Sequence, residues 1–256
     1  HGEYTLCIIT QRIIGILKNI IPNHRFKIVA DSNHALKSTL PLLWKNFSSV
    51  SVVPTGIDLN PFIKKNKYSN GFRNKHNILA DTILIGSTGR IVWQKGYDQI
   101  ILLLQKYNFN NYNIHFLIAG EGSMKNQYIK EINERGVKDY ITFLGNIVNI
   151  PEFLYALDIY IQPSITEGFP LSVLEAMATG LPIICSDAGG LKEMIYNEKN
   201  GIIYKSGDLN SLYEMFCKML SLKSDELCKL GENCRKIVQE EYSINNSAEH
   251  YRAIYN

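Results

Sequence analysis

The sequence predicts an α/β fold built on a parallel sheet with helices packed over it, and three observations carry that reading. Short apolar runs alternate with longer stretches of helical period, as in successive βαβ units. Glycines stand at many of the strand-to-helix turns: Gly89, Gly120, Gly122, Gly145, Gly168, Gly189 and Gly190. A polar, aperiodic stretch rich in Asn and Lys, from Asn60 to Ala80, interrupts the pattern and reads as a linker between two units.

In chain order the predicted strands are Phe26–Ala30, Ser51–Val53, Thr82–Ser87, Ile114–Ala119, Ile141–Leu144, Ile159–Gln162, Pro182–Cys185 and Ile202–Tyr204. Helices are predicted over Asn33–Trp44, Gly96–Tyr107, Ser123–Arg135, Ile150–Ala156, Pro170–Thr179, Leu191–Tyr196, Leu209–Leu222, Ser224–Glu241 and Ile244–Tyr255. The expected organisation is a first segment (1–61), a linker (62–81), a main domain (82–241) and a C-terminal helix (242–256) packing back on the first segment. In open parallel sheets, ligands bind at the carboxyl edge, where the strand-to-helix turns cluster.

With 45% hydrophobic and 20% charged residues, the 256-residue chain has the make-up of an ordinary globular protein. A net charge of +3 is too small to argue for nucleic acid, and Lys64, Lys65 and Lys67 read as a solvated run. The five cysteines, Cys7, Cys185, Cys217, Cys228 and Cys234, form no C-x-x-C pair. A reduced, cytoplasmic protein without a zinc site is therefore expected. No apolar run reaches the roughly 18 to 20 residues of a membrane-spanning helix. The first residue is His1 rather than Met, so a longer parent polypeptide is expected.

The stretch STGRIVWQKGYD (87–98) follows one predicted strand and leads into a predicted helix. It places Arg90 and Lys95 on one loop with Gly89 and Gly96, at the ligand edge. Two cations there can hold a diphosphate; the same residues also fit an exposed, solvated loop. Neither the G-x-x-x-x-G-K-[ST] nor the G-x-G-x-x-G spacing is present.

In TEGFPLSVLEAMATG (166–180), Pro170 suits the first helical position, where its missing N–H costs nothing. The amides of Leu171, Ser172 and Val173 would then point out of the helix start, an anion site backed by the helix dipole. Glu167 precedes the helix, and Glu175 lies inside it among apolar neighbours, where a carboxylate is costly unless hydrogen-bonded. Ionised carboxylates only accept hydrogen bonds, so these two can hold hydroxyls but not phosphate. A diphosphate flanked by two polyols would satisfy every group, and a nucleotide sugar has that layout. The plainer reading makes Glu175 a surface helix residue and Glu167 a loop charge. No D-x-D triplet for a divalent metal is present, so Arg90 and Lys95 would supply the positive charge instead. His24, His34, His76, His115 and His250 are scattered singly and read as surface or satisfied core residues.

GRIVWQKGYD, HFLIAGEGSMK, ITFLGNIVNIPEFLYALDIYIQPSITEGFPLSVLEAMATGLPIICSDAGGLKEMI and NGIIY follow one another between about Ile83 and Tyr204. This ordered set resembles the second domain of the retaining glycosyltransferases of family 4, which have the GT-B fold of two Rossmann-like domains. VVPTGIDLNPF (52–62) resembles the segment leaving that family's first domain, with Thr55 where asparagine is commoner.

The resemblance implies that Arg90 and Lys95 bind the diphosphate. It implies that Glu167 contacts donor-sugar hydroxyls and that Glu175 contacts the ribose. Gly168, Phe169, Pro170, Leu171 and Ser172 match the loop and helix start facing sugar and phosphate, and Ile147 matches the base-contacting segment. His1-Gly2 resembles the "HG" whose histidine approaches the donor sugar, making His1 a fourth catalytic candidate beside Arg90, Lys95 and Glu167. The strand and glycine-rich loop that open the family's first domain have no counterpart here, so only the last third of that domain is matched.

The implied reaction moves a sugar, with retention, from a UDP or GDP type donor to a saccharide or lipid-linked saccharide, in polysaccharide or glycolipid synthesis. No metal cofactor is expected. For a lipid-linked acceptor, peripheral contact with the inner face of the plasma membrane is expected. The competing expectations are a catalytically incomplete nucleotide-sugar-binding module and a GT-B nucleotide-sugar epimerase.

Overall fold

The computed structural model describes residues 28–43, 50–63 and 71–255. The readings placed on His1, Cys7 and Lys64, Lys65 and Lys67 lie outside these residues. Two strands, β1 (Ile28–Ala30) and β2 (Val50–Val52), pair in parallel, with helix α1 (Asn33–Leu43) in the connection between them. Short helices α2 (Asn60–Ile63) and α3 (Gly71–Lys75) lead to the main sheet.

The main sheet has six strands: β3 (Ile83–Thr88), β4 (Ile114–Ala119), β5 (Ile141–Gly145), β6 (Ile159–Gln162), β7 (Ile183–Ser186) and β8 (Gly201–Tyr204). All its pairings are parallel, in the order β5-β4-β3-β6-β7-β8. The connections are helices α4 (Asp98–Lys106), α5 (Lys125–Glu134), α6 (Ile150–Ala156), α7 (Leu171–Thr179) and α8 (Leu191–Met194). After β8 come α9 (Leu209–Ser221), α10 (Ser224–Glu241) and α11 (Ile244–Tyr255). The chain steps outward from β3 to β5, then returns to the other side of β3 with β6. This reversal makes the loops after β3 and β6 diverge, leaving a crevice at the carboxyl edge.

Strand alternation divides the core into two faces. Leu84, Leu117, Tyr160, Ile183 and Cys185 meet Phe153, Val173, Leu174, Met177, Ile237 and Val238 on one face. Ile85, Phe116, Ile118, Ile159, Ile161 and Ile184 meet Ile100, Ile101, Leu103, Tyr128, Leu212 and Phe216 on the other. Each such buried side chain contributes about 1.5–3 kcal/mol by leaving water.

The Asn60–Ala80 stretch is not the featureless linker that its composition predicts. Phe72 of α3 is buried and meets Phe153 edge-on, with ring centroids 5.5 Å apart. Arg73 bonds Asp158 at 2.6 Å and the Ala156 and Thr82 carbonyls at 2.8 and 3.1 Å. Phe62, also buried, and Ile78 pack on the same core cluster, and anchors so widely spaced produce no period that a sequence scan can detect.

Contacts also join the two sheets. The Glu193 carboxylate accepts the backbone N–H groups of Asn33 (2.9 Å) and His34 (2.7 Å), capping α1 from across the molecule. Ser247 of α11 donates to the Pro54 carbonyl at 2.7 Å, and Ile57 pairs with residues flanking Ser243.

Candidate active site

The loop between β3 and α4 is braced on both sides. Gly89 and Ile91 N–H groups bond the Ala119 and Glu121 carbonyls of the β4 loop at 3.0 and 2.9 Å. On the other side, Gln94 O accepts Ile165 N–H at 2.8 Å, and Gln99 Nε2 donates to Pro163 O at 2.5 Å. Gly120 has φ 144°, and a Cβ there would lie 1.9 Å from the Gly89 carbonyl oxygen, so the two loops touch backbone to backbone. Arg90 thus projects from a fixed backbone; its side chain is exposed and has no partner among the described residues.

Lys95 sits in a short 3₁₀ turn, Trp93–Lys95, that ends on Gly96 at φ 66°. Its Nζ crosses the crevice to Glu167 Oε2 at 2.6 Å, with the two side chains only 14% and 13% exposed. Ser164 Oγ (2.9 Å) and Gln162 Nε2 (3.5 Å) donate to the same carboxylate oxygen. The sequence assigned Lys95 and Glu167 to different parts of a ligand; in the structure they are also bonded to each other.

At the start of α7 the structure corrects two expectations. Pro170 (φ −77°, ψ 108°) is the residue before the helix rather than its first turn, because its ψ is extended. Val173 N–H, moreover, is not free; it bonds the Pro170 carbonyl three residues back at 3.1 Å. Among the described residues, the Leu171 and Ser172 amides have no acceptor. Leu171 is 45% exposed, so the helix mouth is open to a ligand.

Glu175 is half-buried, and its carboxylate has no hydrogen-bond or ion-pair partner among the described residues. Burial raises its pKa above the usual carboxylate value. The Phe169 ring packs on Tyr242, centroids 5.6 Å apart. Gly168 has open space where a Cβ would stand, but its carbonyl accepts Gly190 N–H at 3.0 Å. A Cβ on Gly190 would fall 2.1 Å from that oxygen, so the second glycine of Gly189-Gly190 is required by close approach. Ile147 follows β5, two strands from β3, and is half-buried against the core beside fully exposed Val148.

Sequence reasoning missed Gln162, Ser164 and Gln94. A signal existed for the first: Gln162 closes the otherwise apolar run IYIQ and is fully buried, which demands polar partners. Among the described residues no group of three or more His, Cys, Asp or Glu side chains could hold a metal ion. No described helix is long and apolar enough to cross a membrane.

Residues 69–237, more than half of the chain, match the family described as glycosyl transferases group 1. The chain is 27% identical over 206 residues to an O-antigen biosynthesis glycosyltransferase, WclY, of Escherichia coli, covering 80% of this chain and 55% of the relative. It is 31% identical over 187 residues to an uncharacterized glycosyltransferase of Methanocaldococcus jannaschii, covering 72% and 47%. It therefore spans about half the length of these relatives. Anabaena HepE, in complex with UDP and glucose, superposes with a TM-score of 0.82 at 19% identity, over 96% of this chain and 67% of that one. WaaG, a glycosyltransferase involved in lipopolysaccharide biosynthesis, superposes with a TM-score of 0.76 at 19% identity, over 87% and 61%. These likenesses establish the α/β fold as that of GT-B glycosyltransferases.

Proposed function

The chain belongs to the glycosyl transferases of group 1, and from that premise we propose that it moves a sugar from a nucleoside-diphosphate sugar to an acceptor hydroxyl, with retention, as in family 4. The observation that carries this reading is the Lys95–Glu167 pair, closed across the β3/β6 crevice beside the open mouth of α7. A diphosphate entering there meets Arg90, Lys95 and the two free amides. Lys95 exchanges a carboxylate for a phosphate oxygen, and Glu167 accepts a sugar hydroxyl. Glu175, half-buried and unpartnered, accepts from the ribose and thereby gains the hydrogen bonds it lacks.

In the transfer step, Arg90, Lys95 and the helix amides stabilise the charge that develops on the leaving diphosphate. Removing one such contact commonly costs about 2.7–4 kcal/mol of barrier. As the bond from the anomeric carbon to the diphosphate oxygen breaks and the bond to the acceptor oxygen forms, the released phosphate oxygen takes up the proton of the attacking hydroxyl, because no side chain is assigned as general base. Arg90 and Lys95 provide the counter-charge, and the proposal assigns no role to a metal. The acceptor class we propose is a saccharide or lipid-linked saccharide of surface-polysaccharide or lipopolysaccharide synthesis. The names of the relatives support that class. For a lipid-linked acceptor the protein would work at the cytoplasmic face of the membrane.

Thermal denaturation with UDP, GDP, UDP-glucose and GDP-mannose tests the reading, since a ligand that binds only the folded state raises Tm. At least one nucleoside diphosphate and its sugar are expected to stabilise the chain, and transfer should conserve the anomeric configuration. Binding without transfer would reassign the chain as a nucleotide-sugar-binding module. No response to any of the four overturns the proposal.

A further inference from the structure

The Glu167 carboxylate is held by a directed chain of hydrogen bonds that begins on β3. Thr88 N–H donates to the Tyr160 phenol at 3.2 Å, and the phenol's one proton is shared between Gln162 Oε1 at 3.2 Å and the Thr88 carbonyl at 3.3 Å, with the Thr88 hydroxyl 3.1 Å away. Gln162 Nε2 donates to Ser164 Oγ at 2.8 Å, and Ser164 Oγ donates to Glu167 Oε2 at 2.9 Å. Chemistry fixes the direction at both ends. A backbone N–H can only donate, and an ionised carboxylate can only accept. The Gln162 amide must turn its nitrogen toward Glu167, which settles its orientation. Because Ser164 Oγ already accepts from Gln162, its proton points at the carboxylate.

Every member between the ends is sealed. Tyr160, Gln162 and Ser164 are all 0% exposed. The Ser164 carbonyl is itself gripped by the hydroxyls of Ser186 (2.5 Å) and Ser206 (3.2 Å), at the ends of β7 and β8. Burial raises the Tyr160 pKa, which keeps the phenol protonated as a donor. With Lys95, three donors converge on Oε2, whereas Oε1 receives none among the described residues.

We propose that Ser164, seated by Gln162, is a positioning residue that fixes Glu167 so that Oε1 alone faces the donor sugar. The inference rests on the transferase reading above. Its point concerns the moment of binding: when Lys95 turns to the diphosphate, Ser164 and Gln162 are what hold the carboxylate in place. Without them the carboxylate would follow Lys95 or rotate, and the sugar would lose an oriented acceptor. In the proposed pose the nucleotide moiety meets Arg90, Lys95 and the start of α7, and neither Ser164 nor Gln162.

The test compares affinities by titration of the 256-residue chain, with UDP against UDP-glucose and GDP against GDP-mannose. In the pair that binds, Ser164→Ala should weaken the sugar-bearing ligand about tenfold, the order expected for one hydrogen bond to a charged group. Affinity for the bare nucleotide should stay within about twofold. Ser164→Thr, which retains the hydroxyl, should restore most of the loss. A Ser164→Ala variant that binds both ligands as the unaltered chain does overturns this inference alone. Equal loss of both ligands, unrescued by Thr, makes Ser164 merely structural and also overturns it. If the unaltered chain binds no nucleotide, the transferase reading fails and takes this inference with it.

Discussion

The β3/β6 crevice and the hollow between β8, α9 and α10 are both lined with charged side chains, but those charges are differently committed. The hollow has a volume of about 350 Å³ and is lined by Glu198, Lys199, Lys218, Glu226 and Lys229. There Lys218 pairs with Glu198 while they remain 41% and 61% exposed, so water competes for that pair. In the crevice, Lys95 and Glu167 are mostly sealed and fastened from beneath by buried Ser164 and Gln162. Arg90 and Glu175 meanwhile have no partner among the described residues. The presence of charge does not separate the two places. Bonding capacity left unspent on a rigid frame does.

The sharpest way to break this contrast is Lys95→Ala. It should lower the transfer rate by about a hundredfold or more while leaving acceptor affinity little changed. Steady-state kinetics with varied acceptor would decide, and equal losses in both would refute the assignment. Arg90→Ala comes next, with nucleoside-diphosphate affinity reduced about tenfold and the unliganded melting temperature unchanged, because the exposed guanidinium holds nothing in the fold.

Glu175→Gln tests the half-buried carboxylate through pH. The folded-state pKa is raised, so the fold favours the protonated form, and ionisation costs stability above that pKa. The cost disappears as pH falls below the unfolded-state value. The amide should therefore raise Tm by about 2 °C at pH 8 and by nothing near pH 4, as read in paired thermal melts without ligand. Lys218→Ala in the hollow should do least. A change in stability below about 0.5 kcal/mol, with nucleotide binding intact, would confirm that the hollow's charges are solvated ornaments of the surface.

Much of the fold was legible because short apolar runs alternate with stretches of helical period, with glycine closing β3, β4 and β5. Ile114–Ala119, Ile159–Gln162, Ile150–Ala156 and Ser224–Glu241 fall where the pattern puts them, to the residue. The docking of α3 was not legible, since Phe72 and Arg73 act through partners about 80 residues away in sequence. At the site, residue types were readable and bonds were not. The cations and glutamates stand out by charge and spacing, yet nothing in one dimension says that Lys95 closes on Glu167. The helix start was misread by one residue because a proline's φ suits either position; only its ψ decides.

The Glu193 bridge to α1 bears on how the molecule comes apart. A carboxylate from one sheet's helix layer satisfies amides at the other sheet's first helix, and Ser247 and Ile57 tie the C-terminal helix to the chain leaving the smaller sheet, so the two units are bonded to each other at two places. Heating should accordingly produce a single calorimetric endotherm, with the smaller sheet melting in step with the larger rather than ahead of it.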